Sequence, residues 1–231
     1  MTTLRRGLIV SCQAEEGSPF NSPQFIAAFA KAAELGGAVG VRVRDPGNVR
    51  AVRARTELPI IGLTKGTFDS GGVLITPTVD DVLRLLDAGA DLIAVDATIR
   101  RRPNGMSGDE FLRLVKSKVP GLLVADVSNL HEGLAAAEAG ADFVATTLSG
   151  YVEASLPSKY EPDYGLIKEI ASRMQTPVIA EGRIWSPQQA WKALSCGAFA
   201  VCIGSAITRP VDIVRRFVES LSGNEAVRED N

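Results

Sequence analysis

The chain has 231 residues, a formal net charge of −2 and 45% apolar side chains, enough to bury a core of its own and too apolar for disorder. That near-neutral balance offers no basic face for nucleic acid and no cationic patch for a membrane surface, so neither is expected as a partner. Cys12, Cys196 and Cys202 show no C-x-x-C spacing, which argues against a disulfide framework and against a zinc site.

Residues 1–11 carry two arginines and only a very short apolar stretch, too little for a signal peptide. No apolar run approaches the ~20 residues that span a bilayer. A reducing cytoplasm is therefore the expected location, with Cys12 and Cys202 as reduced core residues.

In chain order, short apolar runs alternate with longer amphipathic segments. Leu8–Ser11 leads to a helical pattern over Pro23–Leu35, and Val39–Val43 to a weakly patterned crossover around Pro46–Arg55. Ile60–Leu63 precedes a helix at Val79–Asp87, and Leu92–Val95 one at Ser107–Lys118. Leu122–Ala125 precedes Leu130–Ala139, Phe143–Thr146 precedes Asp163–Met174, Val178–Ala180 precedes Pro187–Ser195, and Ala200–Ile203 precedes Val211–Ser220. The runs are near-continuously apolar and partly β-branched, as parallel strands buried on both faces must be. A glycine joint recurs before four of them, at Gly36-Gly37-Ala38, Asp87–Asp91, Glu138–Asp142 and Cys196-Gly197-Ala198, where a helix ends and a strand begins.

Eight βα units of roughly 29 residues each fit a compact, single (β/α)8 barrel, an α/β fold. The barrel is expected over residues 1–222, with a polar tail over 223–231. An open doubly wound sheet is the alternative, but no G-x-G-x-x-G follows the first run.

In such a barrel the functional groups sit just after each strand, at one mouth. Those positions hold Gln13, Arg42, Lys65, Asp96, Asp126, Ser128, Thr146, Thr147, Ser149, Glu181, Arg183, Gly204 and Ser205. Each has a bland competitor. Lys65 is either a solvated loop lysine or a reactive amine. Glu181, between Ala180 and Gly182, is either a functional group pointing into the mouth or a partner for Arg183. Arg42, a charge inside a strand, needs Asp96, Asp126 or a ligand anion. Asp126 could instead cap the following helix. His131, the one histidine, is expected at the surface, so neither a histidine triad nor a multi-histidine metal site is available. Two glycine segments, Glu181-Gly182-Arg183-Ile184 and Gly204-Ser205 through Arg209-Pro210, follow the last two strands, where this fold recurrently binds phosphate; tight turns alone are the competing account. Arg209 would add a charge-assisted contact there.

At these residues the chain resembles the N-acylglucosamine-6-phosphate 2-epimerases, also called N-acetylmannosamine-6-phosphate 2-epimerases. The segments that carry the resemblance include Ser11-Cys12-Gln13, Gly40-Val41-Arg42, Gly62-Leu63-Thr64-Lys65, Val95-Asp96-Ala97-Thr98 and Arg102-Pro103. They continue with Ala125-Asp126-Val127-Ser128, Leu148-Ser149-Gly150-Tyr151, Ala180–Ile184 and Gly204–Pro210. The resemblance implies a phosphate-binding TIM barrel that interconverts N-acetylmannosamine 6-phosphate and N-acetylglucosamine 6-phosphate by proton removal and return at carbon 2. It implies an isomerase of amino-sugar (sialic acid) catabolism that needs no metal and no organic cofactor. Lys65 and Glu181 would be the acid/base pair, and Gln13, Arg42 and Asp126 would contact the sugar. Gly182, Gly204 and Arg209 would hold the 6-phosphate, with Arg183 and Ser205 in the same two loops. One segment departs from the family. Its members usually continue the lysine as Lys-Arg-Asp-Tyr, whereas this chain has Lys65-Gly66-Thr67-Phe68. Another phosphate-binding barrel enzyme (a sugar-phosphate epimerase or lyase) and a non-catalytic phosphosugar-binding protein are the rival readings. A homodimer is the default assembly, with Trp191 and Phe217 serving either an interface or helix packing.

Overall fold

The computed structural model describes residues 4–68, 72–152 and 161–228, with side chains as far as 222. In chain order the strands are β1 (Gly7–Cys12), β2 (Gly40–Arg44), β3 (Ile60–Leu63), β4 (Lys65–Thr67), β5 (Val73–Ile75) and β6 (Leu92–Asp96). They continue with β7 (Leu122–Asp126), β8 (Phe143–Ala145), β9 (Val178–Glu181) and β10 (Ala200–Ile203). Eight of these close in the order β1-β10-β9-β8-β7-β6-β3-β2. Every neighbouring pair in the barrel is parallel, and β1 pairs with both β2 and β10. That closure replaces the open-sheet alternative with a TIM barrel.

The helices are α1 (Pro23–Leu35), α2 (Pro46–Arg53), α3 (Val79–Asp87), α4 (Gly108–Lys118) and α5 (Leu130–Glu138). After them come α6 (Tyr164–Arg173), α7 (Pro187–Ser195), a short α8 (Ser205–Thr208) and α9 (Pro210–Arg228). Their starts are set by side-chain caps. Ser22, Thr78, Asn129, Asp163 and Ser186 each accept a backbone N–H of the first turn. Asn129, not Asp126, therefore caps α5. The recurrent joint behaves as its glycines require: Gly37, Gly89, Gly140 and Gly197 have φ of 85°, 100°, 92° and 106°.

Strand alternation decides what the barrel encloses. Val41 and Val43 of β2, Leu123 and Ala125 of β7, and Val178 of β9 face the helix layer, packing with Ile26, Leu85, Phe111 and Ile170. Their neighbours Ile61, Leu92, Val124, Ile179 and Cys202 fill the interior. By the same period of two, Arg42, Asp126 and Glu181 point inward, above that apolar layer. Cys12 and Cys202 are buried and free, as expected.

Two features lie outside the expected elements. The antiparallel hairpin β4–β5 stands on the barrel's mouth, pairing Lys65 with Ile75 and Thr67 with Val73. The last helix runs through residue 228, across the boundary placed at 222. Its apolar residues Val214, Phe217, Val218 and Leu221 are exposed. Among the described residues no helix is long and apolar enough to cross a membrane.

Candidate active site

A cavity of about 470 Å³ opens at the C-terminal end of the barrel strands. Gln13, Arg42, Lys65, Glu181, Gly182, Arg183, Gly204, Ser205 and Arg209 all line it. Asp126, expected at the sugar, is the exception: it is fully buried behind Arg42 and is not part of the wall.

The floor is an ion cluster. Arg42, 2% exposed, donates from Nη1 to Asp126 Oδ1 at 2.9 Å and from Nη2 to Oδ2 at 2.8 Å. Its Nη1 also lies 3.2 Å from Glu181 Oε2. A bidentate guanidinium–carboxylate pair of this kind fixes direction as well as charge. Burial alone would lower the pKa of Arg42, but the facing carboxylates of Asp126 and Glu181 reverse the sign and raise it. Asp96, the other candidate partner, instead accepts from Arg100 Nη2 at 2.8 Å and from Thr98 Oγ1 at 2.6 Å.

Lys65 and Glu181 depart from their ordinary values in opposite directions. Solvent reaches the Lys65 side chain, yet the protein crowding its ammonium group lowers its pKa, and repulsion from Arg209, Arg44 and Arg42 lowers it further. Burial raises the pKa of Glu181, and nearby Asp126 adds to this against the attraction of Arg42. A lysine moved toward neutrality and a carboxyl moved toward its acid form are what proton exchange near neutral pH requires.

The far end of the cavity is made by the loops after β9 and β10. Gly182 (φ 113°) and Arg183 (φ 58°) turn sharply out of β9. Gly204 caps α8, and Ser205 is the first residue of that helix. Arg209 faces the cavity with Nε 2.8 Å from Glu15 Oε1. Arg183 spends its donors on the chain, Nη1 on the Ser149 carbonyl at 2.7 Å and Nε on the Glu161 carbonyl at 2.8 Å. Its guanidinium therefore ties loops together at the cavity rim. Gln13 donates Nε2 to Ser11 Oγ at 2.9 Å, which holds its amide at the wall. Arg42, Lys65, Arg100, Arg183 and Arg209 surround Glu181, the one carboxylate among the described lining residues, so the mouth attracts anions.

Thr147, expected at the mouth from its place after β8, bridges Asp126 and Glu181. Two residues were missed as site members: Cys202 faces the cavity beside Glu181, and Arg100 forms part of the wall over the Phe68 ring, 4.3 Å from its centre. Alternation along β10 would have turned Cys202 inward; nothing local marks Arg100. His131 is exposed on α5. Among the described residues no three His, Cys, Asp or Glu side chains are grouped to hold a metal ion.

Residues 26–223 match the family model described as "Putative N-acetylmannosamine-6-phosphate epimerase". A protein from Caldanaerobacter subterraneus subsp. tengcongensis named "Putative N-acetylmannosamine-6-phosphate 2-epimerase" is 49% identical over 216 residues, 93% of this chain and 91% of its own. One of the same name from Yersinia pseudotuberculosis serotype O:3 is 45% identical over 219 residues, 94% of this chain and 91% of its own. The solved structure of the N-acetylmannosamine-6-phosphate 2-epimerase from Clostridium perfringens superposes with a TM-score of 0.86 at 40% identity, covering 92% of each chain.

Proposed function

The chain belongs to the N-acetylmannosamine-6-phosphate epimerase family, and from that premise we propose how its cavity inverts one carbon. The reaction interconverts N-acetylmannosamine 6-phosphate and N-acetylglucosamine 6-phosphate, an isomerisation in amino-sugar metabolism. In the open-chain sugar, carbon 2 is acidified by the adjoining aldehyde. One group removes its proton to give an enolate, and a second returns a proton to the opposite face.

The observation that carries this reading is the pair Lys65 and Glu181. They come from different sides of the barrel, line one cavity, and are shifted toward the neutral amine and the neutral acid. Neutral Lys65 accepts the proton and protonated Glu181 supplies its replacement, or the two exchange roles in reverse. The first direction ends with ammonium and carboxylate, the reverse starts from them and ends with amine and acid, and exchange with solvent resets the pair. Arg209 and the backbone of Gly182, Gly204 and Ser205 anchor the 6-phosphate, so binding energy at the remote end orients the reacting carbon. Arg42 and Gln13 address the sugar.

The substrate chemistry supports a role in sialic acid catabolism, and the three free cysteines fit a reducing cytoplasm. The uncovered apolar face of α9, with Val214, Phe217 and Leu221, fits contact with a second copy and a homodimer.

Proton NMR with N-acetylmannosamine 6-phosphate in D2O tests the reading. Conversion to the gluco epimer with deuterium at carbon 2, lost in Lys65→Ala and Glu181→Ala, is the expected result. Ligand binding with neither conversion nor exchange would establish a sensing protein instead.

A further inference from the structure

Thr147 follows β8 and faces the cavity between two carboxylates. Its Oγ1 lies 2.5 Å from Asp126 Oδ1 and 3.2 Å from Glu181 Oε2. A threonine hydroxyl has one hydrogen and two lone pairs, so it can donate to one of these oxygens at a time and must face the other with a lone pair. Asp126 accepts both Arg42 bonds and can only receive. Glu181 is the group whose proton moves.

We propose that Thr147 is a positioning residue whose hydroxyl rotates between Asp126 and Glu181 as Glu181 gains and loses its proton. When Glu181 is protonated, its Oε2–H donates to Thr147 Oγ1 and the threonine hydrogen goes to Asp126. When Glu181 has given up the proton, the threonine hydrogen swings to Oε2, and Asp126 keeps its Arg42 pair. The Thr147–Glu181 bond is kept in both states, and the Thr147–Asp126 bond is made only while Glu181 is protonated. No covalent bond other than the Glu181 O–H is made or broken.

The other groups facing Glu181 cannot serve both states equally. Arg42 from β2 only donates, and Asp126 from β7 only accepts. Cys202, opposite Glu181 in the β10–β9 register, offers a weak thiol. Lys65 acts across the mouth and changes its own charge when it exchanges a proton.

This inference rests on Glu181 being the acid–base partner proposed above, and the experiment separates the two. The pH dependence of kcat and KM for epimerisation is measured for the wild-type protein, Thr147→Val, Thr147→Ala and Thr147→Ser, with the epimerisation rate of Glu181→Gln alongside. Valine keeps the threonine shape and removes the hydroxyl. Loss of a hydrogen bond to a charged group should lower kcat about tenfold, with KM within about twofold. The pH limb belonging to Glu181 should shift, because Thr147 makes two bonds while Glu181 is protonated and one while it is ionised. Serine should restore both. If Glu181→Gln still epimerises at the wild-type rate, the role of Glu181 fails and this inference falls with it. If epimerisation is lost there while the limb stays unmoved in both Thr147→Val and Thr147→Ala, the Thr147 role alone is overturned.

Discussion

Arg42 and Arg102 are both buried arginines near strand ends, and the protein uses them in opposite ways. Arg42 faces carboxylates, so its charge is strengthened. Arg102 is 3% exposed and, among the described residues, pairs with no carboxylate. It donates to the carbonyls of Thr76, Pro77 and Asp96 at 3.2, 3.1 and 2.6 Å, and its guanidinium lies 3.8 Å above the Phe111 ring. Burial therefore prevails there and lowers its pKa to about 10, against the attraction of Asp96. Burial disfavours the cation at both positions; what stands opposite decides the sign. One arginine sets the electrostatics of the Glu181 carboxyl at the cavity, and the other staples loops.

The largest effect that would sharpen this contrast is expected at Glu181. Glu181→Gln should slow epimerisation by about 10²–10⁴ while costing little stability. The sign follows from its raised pKa. The unfolded chain gives up this proton at lower pH than the folded one, so Glu181 weakens the fold progressively as pH rises above the carboxylate's ordinary 4.5. Thermal melts should show the stability of the glutamine variant relative to the wild-type protein rising as pH increases above the ordinary carboxylate value; a relative stability that falls would contradict the shift. Asp126→Asn comes next. It leaves the Arg42 charge buried without its main partner and should cost roughly 3–5 kcal/mol in urea unfolding. Arg102→Met should cost about 2 kcal/mol, from orphaned carbonyls and the lost ring contact, with turnover unchanged. A turnover defect in that variant would break the division between the two arginines. The smallest effect is expected at Arg209→Ala, a KM rise of about tenfold, or ~1.4 kcal/mol, with a smaller change in kcat. A defect confined to kcat would remove Arg209 from the phosphate end.

The barrel was legible because its strands are short apolar runs and its helices end on glycine. Ile60–Leu63 and Ala200–Ile203 have the expected bounds, as do Pro23–Leu35, Val79–Asp87 and Pro187–Ser195. The positions after the strands were legible for the same reason, since fold and register bring Lys65 and Glu181 to one mouth. Depth was not legible. Asp126 and Glu181 both end strands and face inward, yet one is sealed behind Arg42 and the other reaches the cavity. The choice of Asp126 over Asp96 as partner for Arg42 depends on side-chain reach across the barrel, which spacing does not encode. The hairpin β4–β5 escaped notice because its three-residue strands are too short to show a period, and Lys65 alone gave no sign that it begins one.

That hairpin constrains how the protein can vary. A Cβ at Gly66 would stand 2.5 Å from Cγ of Pro77, a ring atom with little freedom to move aside. Position 66 adjoins Lys65, which opens the hairpin at the cavity. A larger residue there requires Pro77 or the hairpin backbone that carries Lys65 to shift. The two positions are thus coupled, and a library that randomises 66 measures how far the lysine can move.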